Sequence, residues 1–208
     1  MWFIDTETFK YDWLLVGMNP ITQEEVVIVN NADELKKFYN ENRKDIWVMY
    51  NGRNYDQYII KGIMLGFDPK VVNDWIIVKK RKGWEFSTMF NKIPLNIYDP
   101  MPNPPVSLKT LEGFMGKNIH ETSVDFNIDR KLTANEIAET IGYCKSDVLN
   151  MIDVFMKRKG EFDAQLDLLK AFNLPLSYLG KTQAQLAVVS LLQLQRTFSE
   201  DGYSNTTF

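Results

Sequence analysis

One cysteine and one histidine occur in 208 residues. Cys144 therefore has no internal partner for a disulfide, as in proteins of a reducing cytosol. So little sulfur and imidazole argues against a structural zinc site or a cysteine–histidine nucleophile. Long apolar runs are lacking too. The longest fall far short of the roughly 20 residues a membrane-spanning helix needs, so no membrane association is expected. Met1 leads straight into a strand-like segment with no basic region or cleavage site, so the expectation is a cytoplasmic protein without a secretory signal. Nor is there a basic excess: 24 Lys and Arg stand against 27 Asp and Glu, a net charge of −3. That argues against a general nucleic-acid coat. It does not exclude a protein that gathers carboxylates around cations, since bound cations reverse the local charge.

What is there suits one globular domain of ordinary size. The chain is 45% hydrophobic, 13% aromatic and 25% charged, enough apolar surface for one substantial core. Trp2 to Asp5, Trp13 to Met18, Val26 to Val29, Ile46 to Tyr50 and Leu95 to Tyr98 read as strands. Asn31, three residues before Glu34, predicts a capped helix through about Tyr39. Tyr55 to Leu65 has helical spacing and ends at Gly66. Trp75 to Val78 and Trp84 to Phe86 read as a hairpin with the basic tip Lys79-Lys80-Arg81-Lys82. Met101 to Pro105 is a rigid loop, and Ser107 caps a short helix. Thr133 with Glu136 is a capping box, opening a helix that carries Tyr143 and Asp147. Further helices are predicted over Phe162 to Phe172 and Thr182 to Phe198. Strands first and helices late is the order of an α/β domain, a mixed central sheet flanked by helices.

Three short segments concentrate the chemistry. Phe3-Ile4-Asp5-Thr6-Glu7-Thr8 ends an apolar strand in a D-x-E pair. Asp5 and Glu7 are two apart, so both leave one face of the strand, and two like charges side by side are costly unless a cation lies between them. Asn51-Gly52-Arg53-Asn54-Tyr55-Asp56 opens a helix. Tyr143-Cys144-Lys145-Ser146-Asp147 lies within one, with Tyr143 and Asp147 a turn apart on the same face.

In order and spacing these segments resemble the three exonuclease motifs of the DEDD nuclease superfamily, tyrosine subtype. Asn51-x-x-x-Tyr55-Asp56 is similar to the N-x-x-x-F-D pattern of proofreading domains in family B DNA polymerases, with Tyr for Phe. Asn96-Ile97-Tyr98-Asp99 before a helix resembles bacteriophage members, protein-primed ones included. So does Val124-Asp125-Phe126, then Leu132-Thr133, then the third segment. The resemblance covers roughly residues 1 to 158, an exonuclease domain. Residues 159 to 208 are a helical extension packing on it or leading out of it.

The resemblance implies a ribonuclease-H-like fold and a 3′→5′ exonuclease that releases nucleoside 5′-monophosphates from single-stranded DNA 3′ ends. Two Mg²⁺ or Mn²⁺ ions about 4 Å apart suit such hydrolysis, and hard cations take carboxylate oxygens rather than His or Cys. By the same resemblance Asp5 would bridge both metals. Glu7 and Asp147 would complete the catalytic metal's shell, and Asp56 would hold the second through water. Tyr143 would orient the attacking water, since a phenol with a reference pKa of about 10 is a poor base. Thr8, Asn51, Tyr55 and Phe126 would contact the strand, for aromatic faces stack on any base. The family's phage members also carry a catalytic lysine between the second and third motifs. Lys109 and Lys117 lie in that interval, and neither aligns with the required position.

No later D-T-D pair occurs, and 208 residues cannot hold palm, fingers and thumb. The chain is either part of a longer polymerase or a free-standing relative; the resemblance favours the first and implies a polymerase domain in the same chain or complex as a partner, in the host cytoplasm if the source is viral. The rival readings are a free-standing exonuclease acting on RNA or short oligonucleotides, and a nucleic-acid-binding module that does not cut. Other features have plain readings: His120 in a loop, Cys144 a small buried filler, Asp99 and Asp125 structural acids that cap turns or pair with Lys or Arg rather than support the site, and Lys79 to Lys82 a solvated hairpin tip or a steering patch for DNA.

Overall fold

A computed structural model describes residues 1–116, 122–182 and 184–192. Five strands, β1 (Trp2–Thr8), β2 (Trp13–Asn19), β3 (Glu24–Val29), β4 (Ile46–Val48) and β5 (Asn96–Tyr98), form one open mixed sheet in the order β3-β2-β1-β4-β5. β1, β2 and β3 are joined by tight turns and run antiparallel. β4 and β5 return by longer connections and lie parallel to β1, as crossover connections require. The chain is therefore α/β, as its element order predicts.

Alternation along β1 divides the core in two. Trp2 and Ile4 pack on one face with Leu35, Phe38, Ile59 and Ile60, from α1 (Ala32–Asn42) and α2 (Asp56–Met64). Phe3 packs on the other with Val148, Met151 and Phe155, from α5 (Ala134–Lys157). Phe162, Leu169, Leu179 and Leu186 join that second core, so α6 (Lys159–Ala171) and the segment after it pack on the domain. Residues 184–192 are helical. The remainder of the helix predicted to Phe198, and His120, lie outside the described residues. Among the described residues no helix is long and apolar enough to cross a membrane.

The caps behave as their sequences dictate. The Asn31 side chain accepts from Glu34 N at 3.1 Å, and the Thr133–Glu136 box closes in both directions. The predicted hairpin does not form. Trp75 belongs instead to α3 (Pro69–Ile76), and Gly83–Glu85 is one turn of 3-10 helix. The local reason is Asp68, whose side chain accepts from Lys70 N at 2.8 Å ahead of Pro69 at the first helical position, a strong start signal. An aromatic and β-branched run overshadowed it. Gly83 fits against the Tyr58 ring, where a Cβ would come within 2.1 Å of ring carbon Cδ2. The basic run wraps the indoles: Lys79 and Arg81 lie 5.5 and 5.3 Å from the centroid of Trp75. It is not the tip of a hairpin.

Candidate metal centre

β1 outruns its parallel neighbour. It pairs with β4 only at Trp2 and Phe3, and β4 stops at Val48. Beyond that point Asp5 and Glu7 keep β2 on one side, opposite Val16 and Leu14, with no strand on the other. This is the crevice past the carboxyl ends of parallel strands where strand order reverses, a usual place for a site in open α/β sheets.

The turn of residues 51–55 fills the gap. Asn51 takes φ 57°, a left-handed conformation that asparagine tolerates. Asp99, just past β5, fastens the turn: it accepts from Asn51 N at 3.0 Å, Arg53 N at 3.2 Å and Met101 N at 3.1 Å. Its expected structural role is what these bonds describe. Gly52 sits so close to Met49 that a Cβ would lie 2.2 Å from the Met49 Cβ. Gly52→Ala must displace the turn, and a destabilisation of about 1–3 kcal/mol, typical of overpacking, is expected in a denaturant titration. The turn delivers Asp56 to the start of α2, 3% exposed, where Thr6 Oγ1 donates to its Oδ1 at 2.7 Å.

α5 supplies the opposite wall. Asp5 and Glu7 leave β1 on the side of Phe3, toward this helix. Cys144 is wholly buried, and its Sγ donates to Asp5 Oδ2 at 3.2 Å. Carboxylate oxygens of Asp5 and Glu7 and the Cys144 Sγ lie within 4.8 Å of one another. Asp147 is one turn beyond Tyr143, whose hydroxyl donates toward its carboxylate.

The acids repel one another across this space. Burial, then the charges of Glu7, Asp56 and Asp147, hold the Asp5 carboxyl well above its usual range. Burial, then Asp147 and Asp56, push Glu7 up to about 8. Asp56 rises to about 7, again chiefly through burial, against the lowering pull of the Thr6 hydroxyl. Asp147 rises to about 6 through burial, against its bond with Tyr143. Desolvation and the adjacent Asp147 raise the phenol of Tyr143, so it stays protonated at neutral pH. Burial raises the Cys144 thiol as well. A neutral thiol is a poor ligand for a hard cation, so the available donors are carboxylate oxygens. Hard cations take donors of that kind.

Asp56, Tyr143 and Asp147 thus lie near the Asp5–Glu7 pair, while the tight group of possible ligand atoms among the described residues is Asp5, Glu7 and Cys144. Thr8 is buried on the β1 face opposite Glu7. Beside it the Tyr55 hydroxyl donates to Asn73 Oδ1 at 2.8 Å. The Asn51 side chain is engaged with Asn54, accepting at 2.9 Å. Phe126 is 40% exposed and lies flat on Phe9, 5.0 Å between centroids and 8° between planes, just past the end of β1. Asp12 anchors its segment, accepting from Leu132 N at 2.8 Å.

Three neighbours escaped sequence reasoning as parts of this cluster. Cys144 is the buried filler expected, yet it is also a donor to Asp5, and its place three residues before Asp147 on one helix was the available signal. The short helix α4 (Leu108–Phe114) packs beside α5. It sets Lys109 Nζ 5.0 Å from the Tyr143 ring centroid, where its charge lowers both Glu7 and Asp147. Glu112, one turn further, is 1% exposed, and its Oε1 has no hydrogen-bond partner among the described residues. Its charge helps raise Asp147.

No family model, curated protein or solved structure matches this chain.

Proposed function

We propose that the chain is a metal-dependent 3′→5′ exonuclease of the DEDD type, tyrosine subtype, with a ribonuclease-H-like fold. We further propose that it serves as the proofreading domain of a phage family B DNA polymerase. One observation carries the reading. Asp5 and Glu7 leave one face of β1 side by side, and the carboxylates of Asp56 and Asp147, distant in sequence, lie near enough to raise the protonation of both, with the Tyr143 hydroxyl beside Asp147. The settings agree with the resemblance: Asp5 on the first strand, Asp56 opening a helix after a later strand, Asp147 on a late helix.

In this reading the carboxylates of Asp5, Glu7, Asp56 and Asp147 would hold two Mg²⁺ or Mn²⁺ ions. The chemistry such ions would supply there is activation of a water and charge stabilisation at the scissile phosphate. The protein's residues do the rest. Tyr143 keeps its proton and orients water by hydrogen bonding rather than by proton abstraction. Lys109 offsets part of the carboxylate charge. Phe126, prestacked on Phe9, and the half-buried Tyr55 offer faces to unpaired bases without regard to sequence.

The direct test is a 5′-labelled single-stranded DNA incubated with the protein and Mg²⁺ or Mn²⁺. Stepwise shortening from the 3′ end, nucleoside 5′-monophosphates as product, and arrest by EDTA are expected. Faster cutting of a matched RNA strand would move the assignment to an RNA exonuclease, since a 2′-hydroxyl contact is the difference. Binding without product would leave a non-cutting module.

A further inference from the structure

A second concave region shares no residue with the acid cluster. Where the Arg53 turn, the loop after β5, the junction of α5 and α6 and the chain near Lys181 meet, they enclose a cavity of about 840 Å³. Arg53, Arg158 and Lys181 contribute cations to its walls, and Asp99 and Glu161 contribute acids. The acids are already engaged. Asp99 takes three backbone N–H donors, and Glu161 Oε2 accepts from Arg158 at 2.7 Å. The Nε of Arg53 and the Nε of Arg158 are both buried, and neither has an acceptor among the described residues. Buried N–H donors without acceptors are rare in folded proteins, and guanidinium donors are costly to strand.

Two guanidinium groups from separate elements therefore line one space, Arg53 beside Asp99 and Arg158 beside Glu161. A planar carboxylate satisfies one fork. A tetrahedral phosphate offers oxygens in several directions and can meet two forks at once, the recognition for which arginine is suited. The volume is that of a site for a nucleotide-sized molecule, and the loop from Met101 to Pro105 lends apolar wall for the remainder of such a ligand.

We propose that this cavity is a phosphate-ester binding site, with the oxyanion held between Arg53 and Arg158 and Lys181 at its margin. The ester is either a free mononucleotide or one phosphodiester of a bound strand. The site stands independently of any nuclease activity, because none of its donors belongs to the acid cluster.

The test is isothermal titration calorimetry at low salt with EDTA present, so that no divalent cation recruits phosphate to the carboxylates. The probes are inorganic phosphate, a nucleoside 5′-monophosphate and a short single-stranded oligonucleotide. Saturable binding of at least one is expected. Its affinity should fall at least about tenfold, the scale of a lost charge-assisted bond, in Arg53→Gln and in Arg158→Gln. Circular dichroism checks the fold. If Arg158→Gln does not fold, Arg158→Lys takes its place, keeping the charge but losing the planar guanidinium fork, with the same drop expected. Tightest binding by the mononucleotide identifies a free nucleotide as the ligand. Tightest binding by the oligonucleotide, lost with either arginine, identifies the strand. No saturable binding of any probe to the native protein, or equal binding by the arginine variants, overturns the proposal.

Discussion

Asp5→Asn is expected to remove metal-dependent cleavage while making the metal-free protein more stable. Burial, then the charges of Glu7, Asp56 and Asp147, disfavour the Asp5 carboxylate, and in the proposed reading the same carboxylate would hold metal. Asparagine keeps the shape, and its amide oxygen can still accept from the Cys144 thiol, which donates to Asp5 Oδ2 at 3.2 Å. The fold therefore has no reason to change. Loss of one preorganised electrostatic group of this kind costs on the order of 10²–10³ in turnover, and a metal ligand belongs at or beyond the upper end of that range. In EDTA at pH 8 the melting temperature should rise, because removing one of several clustered like charges relieves repulsion. Activity on a labelled strand and a thermal melt on the same preparation give both numbers. Unchanged cleavage by the folded variant would sink the proposed chemistry.

The second large effect is a reversal of pH dependence by metal. Glu7 at about 8, Asp56 at about 7 and Asp147 at about 6 all exceed the value of about 4 for unfolded carboxylates. The folded state therefore binds more protons than the unfolded one across this interval, and stability falls as pH rises. The contribution is fully present below pH 4 and is lost as each folded-state value is passed. Measured in EDTA, the melting temperature should drop between pH 6 and pH 8, the interval those values bracket. Metal binding needs the deprotonated acids and releases their protons. Excess Mn²⁺ should then raise the melting temperature more at pH 8 than at pH 6, and calorimetry in two buffers of different ionisation enthalpy should register the released protons. A melting temperature that climbs with pH in EDTA would show that the acids are not confined together.

Much of this was legible because the relevant signals are local. Period-two alternation across Trp2 to Asp5 sets the two faces of β1, and the same alternation sends Asp5 and Glu7 to one side. The Thr133 box fixes the start of α5 and hence the phase of Tyr143 and Asp147. Asp99 reads as a fastening residue, and three bonds make it one. What stayed hidden depends on packing between elements distant in sequence. Nothing in the spacing of Lys109 and Glu112 says that α4 lies beside α5 and brings them to Tyr143 and Asp147. The cavity of Arg53, Arg158 and Lys181 draws on segments more than a hundred residues apart. The failed hairpin is a different case. Its apolar and aromatic residues suit a strand or a buried helix face equally, and the deciding Asp68-Pro69 start lies outside the run.

The length of α5 has a mechanical consequence. Its 24 residues make a continuous rod of about 36 Å at 1.5 Å per residue, with Cys144 and Asp147 along it and Arg158 at its C-terminal boundary. About 16 Å of hydrogen-bonded backbone joins Asp147 to Arg158 on that rise. A rod of this stiffness pivots more readily than it stretches. α5 also packs against β1 and β2, so one backbone holds Asp147 and Arg158 at a set distance, and a change at one does not reach the other by stretching.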